Sequence, residues 1–196
     1  MSLTKTIAVK LLKKQPLLNN MREIELKVLE INKEDEETKL LKLGFKKIWE
    51  GIILEKMFDT ENKDLKRKKQ LLRLRTIHGK IELTLKGKKE KHPFLKMREE
   101  REVTVNSFAK MQEILEGLGY TCMASREKKR TSYKLKDVKV EIDEYPGAEP
   151  YLEIEGTEEE VIEMLKKLNH PLERTSKKSA TQILKIYKLN TQELFF

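Results

Sequence analysis

The chain has 196 residues, enough for one domain with a substantial core, and charged residues make up 38% of it. Its 42 Lys and Arg against 33 Asp and Glu give a formal net charge of +9, which calls for a polyanionic partner, while the many acids argue against a simple basic tail. No apolar run approaches the roughly 18 to 20 residues that span a bilayer, so no membrane partner is expected, and the lone Cys122 leaves no internal disulfide, in keeping with a cytoplasmic setting. Cys122 itself reads as a small buried residue, not a nucleophile.

Residues 1–20 carry Lys5, Lys10, Lys13 and Lys14 without an acid and read as a flexible basic tail. From Met21 the period changes to that of a strand, with Ile24, Leu26 and Val28 on one face and Glu23, Glu25 and Lys27 on the other. Residues 34–44 read as a short acidic helix ended by Gly44 in a left-handed cap, followed by a strand from 45 to about 58. The charged stretch 61–69 reads as a solvated loop. Leu72-Arg73-Leu74-Arg75 alternates again, and His78-Gly79 turns it tightly into 81–86, which makes a hairpin. A basic loop over 87–93 leads to a strand at 96–105. Ser107 is placed to cap a helix whose stripe is Phe108, Met111, Ile114, Leu115 and Leu118, expected as core, with Gly119 closing it. Two strands, 121–133 and 134–143, turn near Asp137, and Pro146-Gly147 leads to a strand at 151–155. Thr157 and Glu160 have capping-box spacing for a helix with Val161, Met164, Leu165 and Leu168 on one face. A last helix is expected over about 179–189, then a tail at 191–196.

The polar faces of these strands carry the functional information. Glu23, Glu25 and Lys27 share one face, as do Arg73 and Arg75, Glu141 and Asp143, and Glu153 and Glu155, each opposite a pair of aliphatic residues. If the strands close into a barrel with helices packed outside, the aliphatic face lies under the helices and the charged face lines the interior. Buried charges are costly unless paired or bound to an ion. Acids beside bases in one lumen therefore imply a ligand with both needs: oxygen-seeking Mg²⁺ or Mn²⁺ and a phosphate chain. Taken alone, a Glu-x-Glu-x-Lys run is an ordinary solvated face; the conjunction of several such strands carries the reading.

With these motifs in hand, the chain from about 21 to 190 resembles the CYTH family, the triphosphate tunnel metalloenzymes that include class IV adenylate cyclases and thiamine triphosphatases. The resemblance rests on Glu23, Glu25 and Lys27, then Arg73 and Arg75, Thr84 and Lys86, Arg98, Glu100 and Glu102, Arg126, Lys128 and Arg130, Asp143, and finally Glu153 and Glu155, in that order. It implies an α+β fold, a closed eight-stranded antiparallel β-barrel with a charged lumen and helices outside. It further implies that Glu23, Glu25, Asp143, Glu153 and Glu155 hold metal and that Lys27, Arg73, Arg75, Lys86, Arg98, Lys128 and Arg130 hold triphosphate. Glu23, Glu25, Lys27 and Glu155 would carry catalysis. The Phe58-Asp59-Thr60 element and the stretch from Glu141 to Gly147 resemble the cyclase-type branch, whose reaction converts ATP to cyclic AMP and pyrophosphate. Hydrolysis of tripolyphosphate, thiamine triphosphate or a nucleoside triphosphate uses the same site and remains the alternative.

Three points stay open at this stage. On the strands at 97–103 and 123–131 charges alternate with charges, so a one-residue slip would exchange Glu100 for Glu99 or Lys128 for Lys129. The family's C-terminal basic or serine element has no clear match among Lys177, Lys178 and Ser179. Homodimer formation is also undetermined. A non-catalytic RNA- or polyphosphate-binding role is a competing reading, but aromatics, the usual stacking platforms for single strands, are only 6% of the chain.

Overall fold

The computed structural model describes residues 21–196; the expected basic tail at 1–20 lies outside them. In chain order the elements are β1 (Met21–Val28), α1 (Lys33–Lys42), β2 (Lys46–Asp59), α2 (Asp64–Arg67), β3 (Leu71–Ile77), β4 (Lys80–Lys86), β5 (Lys96–Val105) and α3 (Phe108–Gly117). There follow β6 (Thr121–Leu135), β7 (Val138–Glu144), β8 (Tyr151–Glu155), α4 (Glu158–Lys167), β9 (Thr175–Ser176), α5 (Ala180–Ile186) and β10 (Glu193–Leu194).

Eight strands close on themselves in the order β6-β2-β3-β4-β5-β1-β8-β7, and the β6–β7 pairing shuts the cylinder. All eight neighbouring pairs are antiparallel. Closure removes the exposed sheet edges and forces alternate residues inside and outside. The hairpin of β3 and β4 turns at His78 and Gly79, both left-handed with φ of 52° and 70°, as a two-residue primed turn requires.

The aliphatic face of the wall looks outward and is covered by helices. Leu26, Val28, Val140, Ile142, Leu152 and Ile154 form one buried cluster with Leu40 of α1 and with Val161, Met164, Leu165 and Leu168 beneath α4. Phe58, Leu72 and Leu74 pack against Leu115 of α3. Tyr145 and Tyr151 belong to the lumen side, where they pack with Ile183 and Leu184 of α5. Thr157 does cap α4 through a reciprocal box with Glu160. With its hydrophobic layer outside the cylinder, the protein is left with polar residues for the interior.

Four expectations change. Ile114 and Leu118 are exposed, so the buried stripe of α3 is narrower than its apolar sequence. Cys122 is exposed on β6, and its thiol donates to Ala124 O at 3.4 Å. The stretch 61–69 is not simple loop: Asp59 accepts hydrogen bonds from the backbone N–H groups of Thr60, Leu65 and Lys66 at 2.8, 2.9 and 3.0 Å, which folds the chain into α2 and buries Leu65. Residues 193–194 are not free either, since β10 pairs in parallel with Ser125 and Arg126 of β6.

Candidate functional site

The lumen is a cavity of about 840 Å³. Ladder register determines which charges meet inside it. Directly opposed residues share a face, and β1 sets Glu23 opposite Arg98, Glu25 opposite Lys96 on one side and Glu155 on the other, and Lys27 opposite Glu153. Arg73 lies opposite Thr84, Lys86 opposite Glu100, and Arg130 opposite Asp143. The uncertain strands are thereby resolved: Arg98, Glu100, Lys128 and Arg130 face the cavity, whereas Lys129 is exposed.

At one station Glu23, Glu25 and Glu153 bring one carboxylate oxygen each within 4.8 Å of one another. Lys27 bonds Glu25 and reaches Glu153 at 3.1 Å, and Lys96 donates to Glu25 at 2.6 Å. Lys86 also lies 3.3 Å from Glu23 and Arg130 3.7 Å from Glu153, so the carboxylates stand among bases. Desolvation, and then the charge of Glu153, hold the Glu25 carboxyl above its ordinary value. Glu153 is held well below its own because Lys27 and Arg130 outweigh the larger single effect of desolvation. An all-oxygen set of three carboxylates has the donor chemistry of a hard divalent cation.

Asp143 and Glu155, which the resemblance grouped with these three, stand apart from them. Asp143 is fully buried and accepts from Lys128 at 2.7 Å, from Arg130 at 2.6 Å and from Tyr151 at 3.0 Å. Its carboxyl, although desolvated, is pulled down to about 2 by Arg130 and Lys128. Its lone pairs are engaged within the protein. Glu155 pairs with Lys139 at 2.8 Å, and desolvation lifts it to about 7, with Glu141 and Glu23 adding to the rise and Lys139 opposing it.

The cations are unequally satisfied. Arg75 is paired with Glu82 at 2.8 Å, and Lys86 bonds Glu100 and lies 3.3 Å from Glu23. Desolvation, together with the neighbouring Arg73, holds the Lys86 ammonium down to about 8. Arg73 differs: its Nε is buried with no hydrogen-bond partner among the described residues. The Nε of Arg126 is likewise unpartnered. Buried guanidinium donors left open toward a polar cavity are suited to oxygens from a ligand.

Sequence reasoning left several charged or polar lumen residues unassigned. Lys96 is in phase with Arg98 and Glu100 and was legible on that ground. Glu55, buried on β2 and bonded by the Tyr145 hydroxyl at 2.9 Å, has the apolar Ile53 and Met57 on either side of it on its own face and gave no signal. Arg126 and Glu141 were seen as charged-face residues without a role; Arg126 donates to Thr181 at 3.1 Å, which fixes the start of α5 at the lumen wall. Of the C-terminal candidates, Ser179 lines the cavity and caps α5, while Lys177 donates to the carbonyls of His92 and Pro93.

The sequence profile of the CYTH domain matches residues 21–187, all of the barrel and the helices around it. The chain belongs to the CYTH domain family. A relative from Methanocaldococcus jannaschii named "putative adenylate cyclase" is 31% identical over 173 residues, covering 83% of this chain and 98% of the relative. Among solved structures, a Pyrococcus horikoshii protein superposes with a TM-score of 0.70 at 25% identity, covering 82% of this chain and 98% of its own. A Hippeastrum protein described as a "putative adenylyl cyclase" with a dominant triphosphatase activity superposes with a TM-score of 0.63 at 22% identity over 88% of this chain and 99% of its own. As a CYTH protein, this chain carries its family's barrel with both the acid cluster and the guanidinium wall inside one lumen.

Proposed function

We propose that this CYTH protein is a divalent-metal-dependent enzyme that binds ATP by its triphosphate inside the barrel and converts it to cyclic AMP and pyrophosphate. The observation that carries the proposal is the pairing, within one closed lumen, of three carboxylate oxygens within 4.8 Å and a wall of buried cations in which the Arg73 Nε has no partner among the described residues. A free polyanion would be repelled by the acids and a free cation by the bases; a metal triphosphate satisfies both. The cyclase assignment is supported by the name of the Methanocaldococcus relative.

Glu23, Glu25 and Glu153 would hold Mg²⁺ or Mn²⁺, and the bound ion would neutralise charge on the phosphate oxygens. Arg73, Arg75, Lys86, Arg98, Lys128 and Arg130 orient the chain of phosphates and offset the charge that develops as the bond to phosphorus changes. Lys27, whose ammonium is held above its ordinary value by Glu153 and Glu25 against desolvation, stays charged throughout. Glu155 titrates near neutrality, which suits it to accept the proton of the attacking hydroxyl. In cyclisation the ribose hydroxyl attacks the α-phosphorus and pyrophosphate leaves.

A second reading, hydrolysis of the terminal phosphate of ATP, tripolyphosphate or another organic triphosphate, draws on the same groups. The near-neutral Glu155 would serve it equally, accepting a proton from water as from a ribose. The deciding experiment incubates ATP, tripolyphosphate and thiamine triphosphate separately with Mg²⁺ and Mn²⁺ and scores cyclic AMP, pyrophosphate and phosphate. Cyclic AMP with pyrophosphate from ATP supports the cyclase; phosphate alone supports the hydrolase; no turnover of any of them overturns both.

A further inference from the structure

A second cavity, of about 930 Å³, adjoins the tunnel where β1 changes neighbours. Over residues 21–25 β1 pairs with β5, but at Lys27 and Val28 the same edge pairs with β9 instead. A seam is left between Lys96, the first residue of β5, and Ser176, the last of β9. Both line the second cavity, and Lys96 lines the tunnel as well.

The charge in this basin is positive and largely free. Lys89, Lys91 and Lys178 line it and form no ion pair among the described residues. Lys177 is tied by donating to His92 O and Pro93 O at 2.8 and 3.1 Å, and Lys89 reaches Lys177 O at 3.5 Å. Carbonyl partners satisfy the donors without cancelling their charge. Of the acids that line it, Glu90 is occupied by Arg22, and Glu173 is the one carboxylate without an ion pair among the described residues, set against three such lysines. The Lys89 ammonium is held down to about 8 by desolvation and then by the charges of Lys96, Arg98 and Lys27, so it shares the electrostatic field of the tunnel cations. An anion in the basin would relieve that repulsion.

The alternative occupant, a nucleoside, is less well served. His92 is packed edge-on against Phe94 at 5.5 Å, its Nδ1 accepts from Leu95 N at 2.9 Å and its Nε2 lies 3.2 Å from Glu158, which leaves Phe94 as the one lining ring available for stacking among the described residues.

We propose that the basin is a binding subsite for phosphates beyond the third, so that inorganic polyphosphate longer than tripolyphosphate passes from the tunnel over Lys96 and lies along Lys89, Lys91 and Lys178. This inference rests on triphosphate binding in the tunnel, and it assigns the ligand class that would extend it.

The test measures binding of tripolyphosphate, ATP and a polyphosphate of about fifteen phosphates by calorimetry, in Mg²⁺, to the wild type and to a Lys89→Ala/Lys91→Ala/Lys178→Ala variant. The wild type is expected to bind the long chain about tenfold more tightly than tripolyphosphate, with the gain reduced by added salt. The variant loses that gain while its tripolyphosphate affinity stays within about twofold, and the corresponding triple Lys→Arg variant keeps it. A long-chain gain of equal size in the Ala variant overturns the inference, as does a lysine-dependent gain for ATP in place of polyphosphate. Absence of tripolyphosphate binding in the wild type would instead strike the tunnel reading itself.

Discussion

Replacing Asp143 by Asn separates a structural role for this carboxylate from a role in holding metal. Asp143 is 0% exposed and accepts from Lys128, Arg130 and Tyr151. Without its charge Arg130 retains Glu141 and has Glu153 at 3.7 Å, but Lys128 loses the carboxylate it contacts at 2.7 Å. Stranding one partner of a buried ion pair costs about 3–5 kcal/mol. For a domain of this size that lowers the melting temperature by about 6–20 °C. The assay is thermal unfolding in EDTA, with Asp143→Asn/Lys128→Met as the companion variant, which should recover at least half of the loss because it removes the stranded cation. A shift under about 2 °C for Asp143→Asn would refute the claim that this carboxylate neutralises the wall from within.

Other outcomes follow from the same geometry. Glu25→Gln and Glu155→Gln are each expected to abolish turnover, by at least about a hundredfold, with circular dichroism unchanged, since they alter the lumen and not the helix-covered core. Glu155, lifted from 4.5 to about 7, predicts that kcat/KM rises with pH up to about 7, and Lys139→Met moves that limb upward by removing the opposing cation. The sign for stability is the reverse: a raised carboxyl favours the folded state while protonated, a contribution complete below about 4.5 and lost as pH climbs through about 7. Metal-free Glu155→Gln should therefore melt higher than the wild type at pH 8. Asp59→Ala removes the acceptor for three backbone N–H groups and should cost about 1–3 kcal/mol, read by denaturant unfolding. Gly51→Ala places a methyl 2.7 Å from the Trp49 ring, so the emission of this single tryptophan should shift; unchanged emission would contradict the packing.

The barrel was legible because β1, β3, β4, β7 and β8 alternate aliphatic with polar or charged residues, and the helices because their caps are explicit at Ser107 and Thr157. The lumen was legible strand by strand but not across strands. Sequence alternation shows that Glu23, Glu25, Glu153 and Glu155 point the same way, yet only the ladder register shows that Glu153 joins the first two while Glu155 sits beside Lys139. For the same reason nothing local reveals that Lys128, Arg130 and Tyr151 converge on Asp143, one of the expected metal acids. Where charges occupy both faces, as at 98–102 and 126–130, period two carries no sign, and the pairings of Arg98 with Glu23 and of Arg130 with Asp143 decide it. The α2 turn was missed because Asp59 acts at a distance of several residues, and Ile114 and Leu118 misled because an apolar residue on a short helix is not bound to be covered.

The central claim is that the acids and bases of one lumen are satisfied together by a metal triphosphate. It is tested most directly by calorimetric titration of tripolyphosphate into the protein with Mg²⁺ or Mn²⁺ and again in EDTA. The account predicts binding that is lost or weakened by at least about tenfold without the ion and in Glu23→Gln and Glu25→Gln; equal affinity in EDTA and in both variants would contradict it.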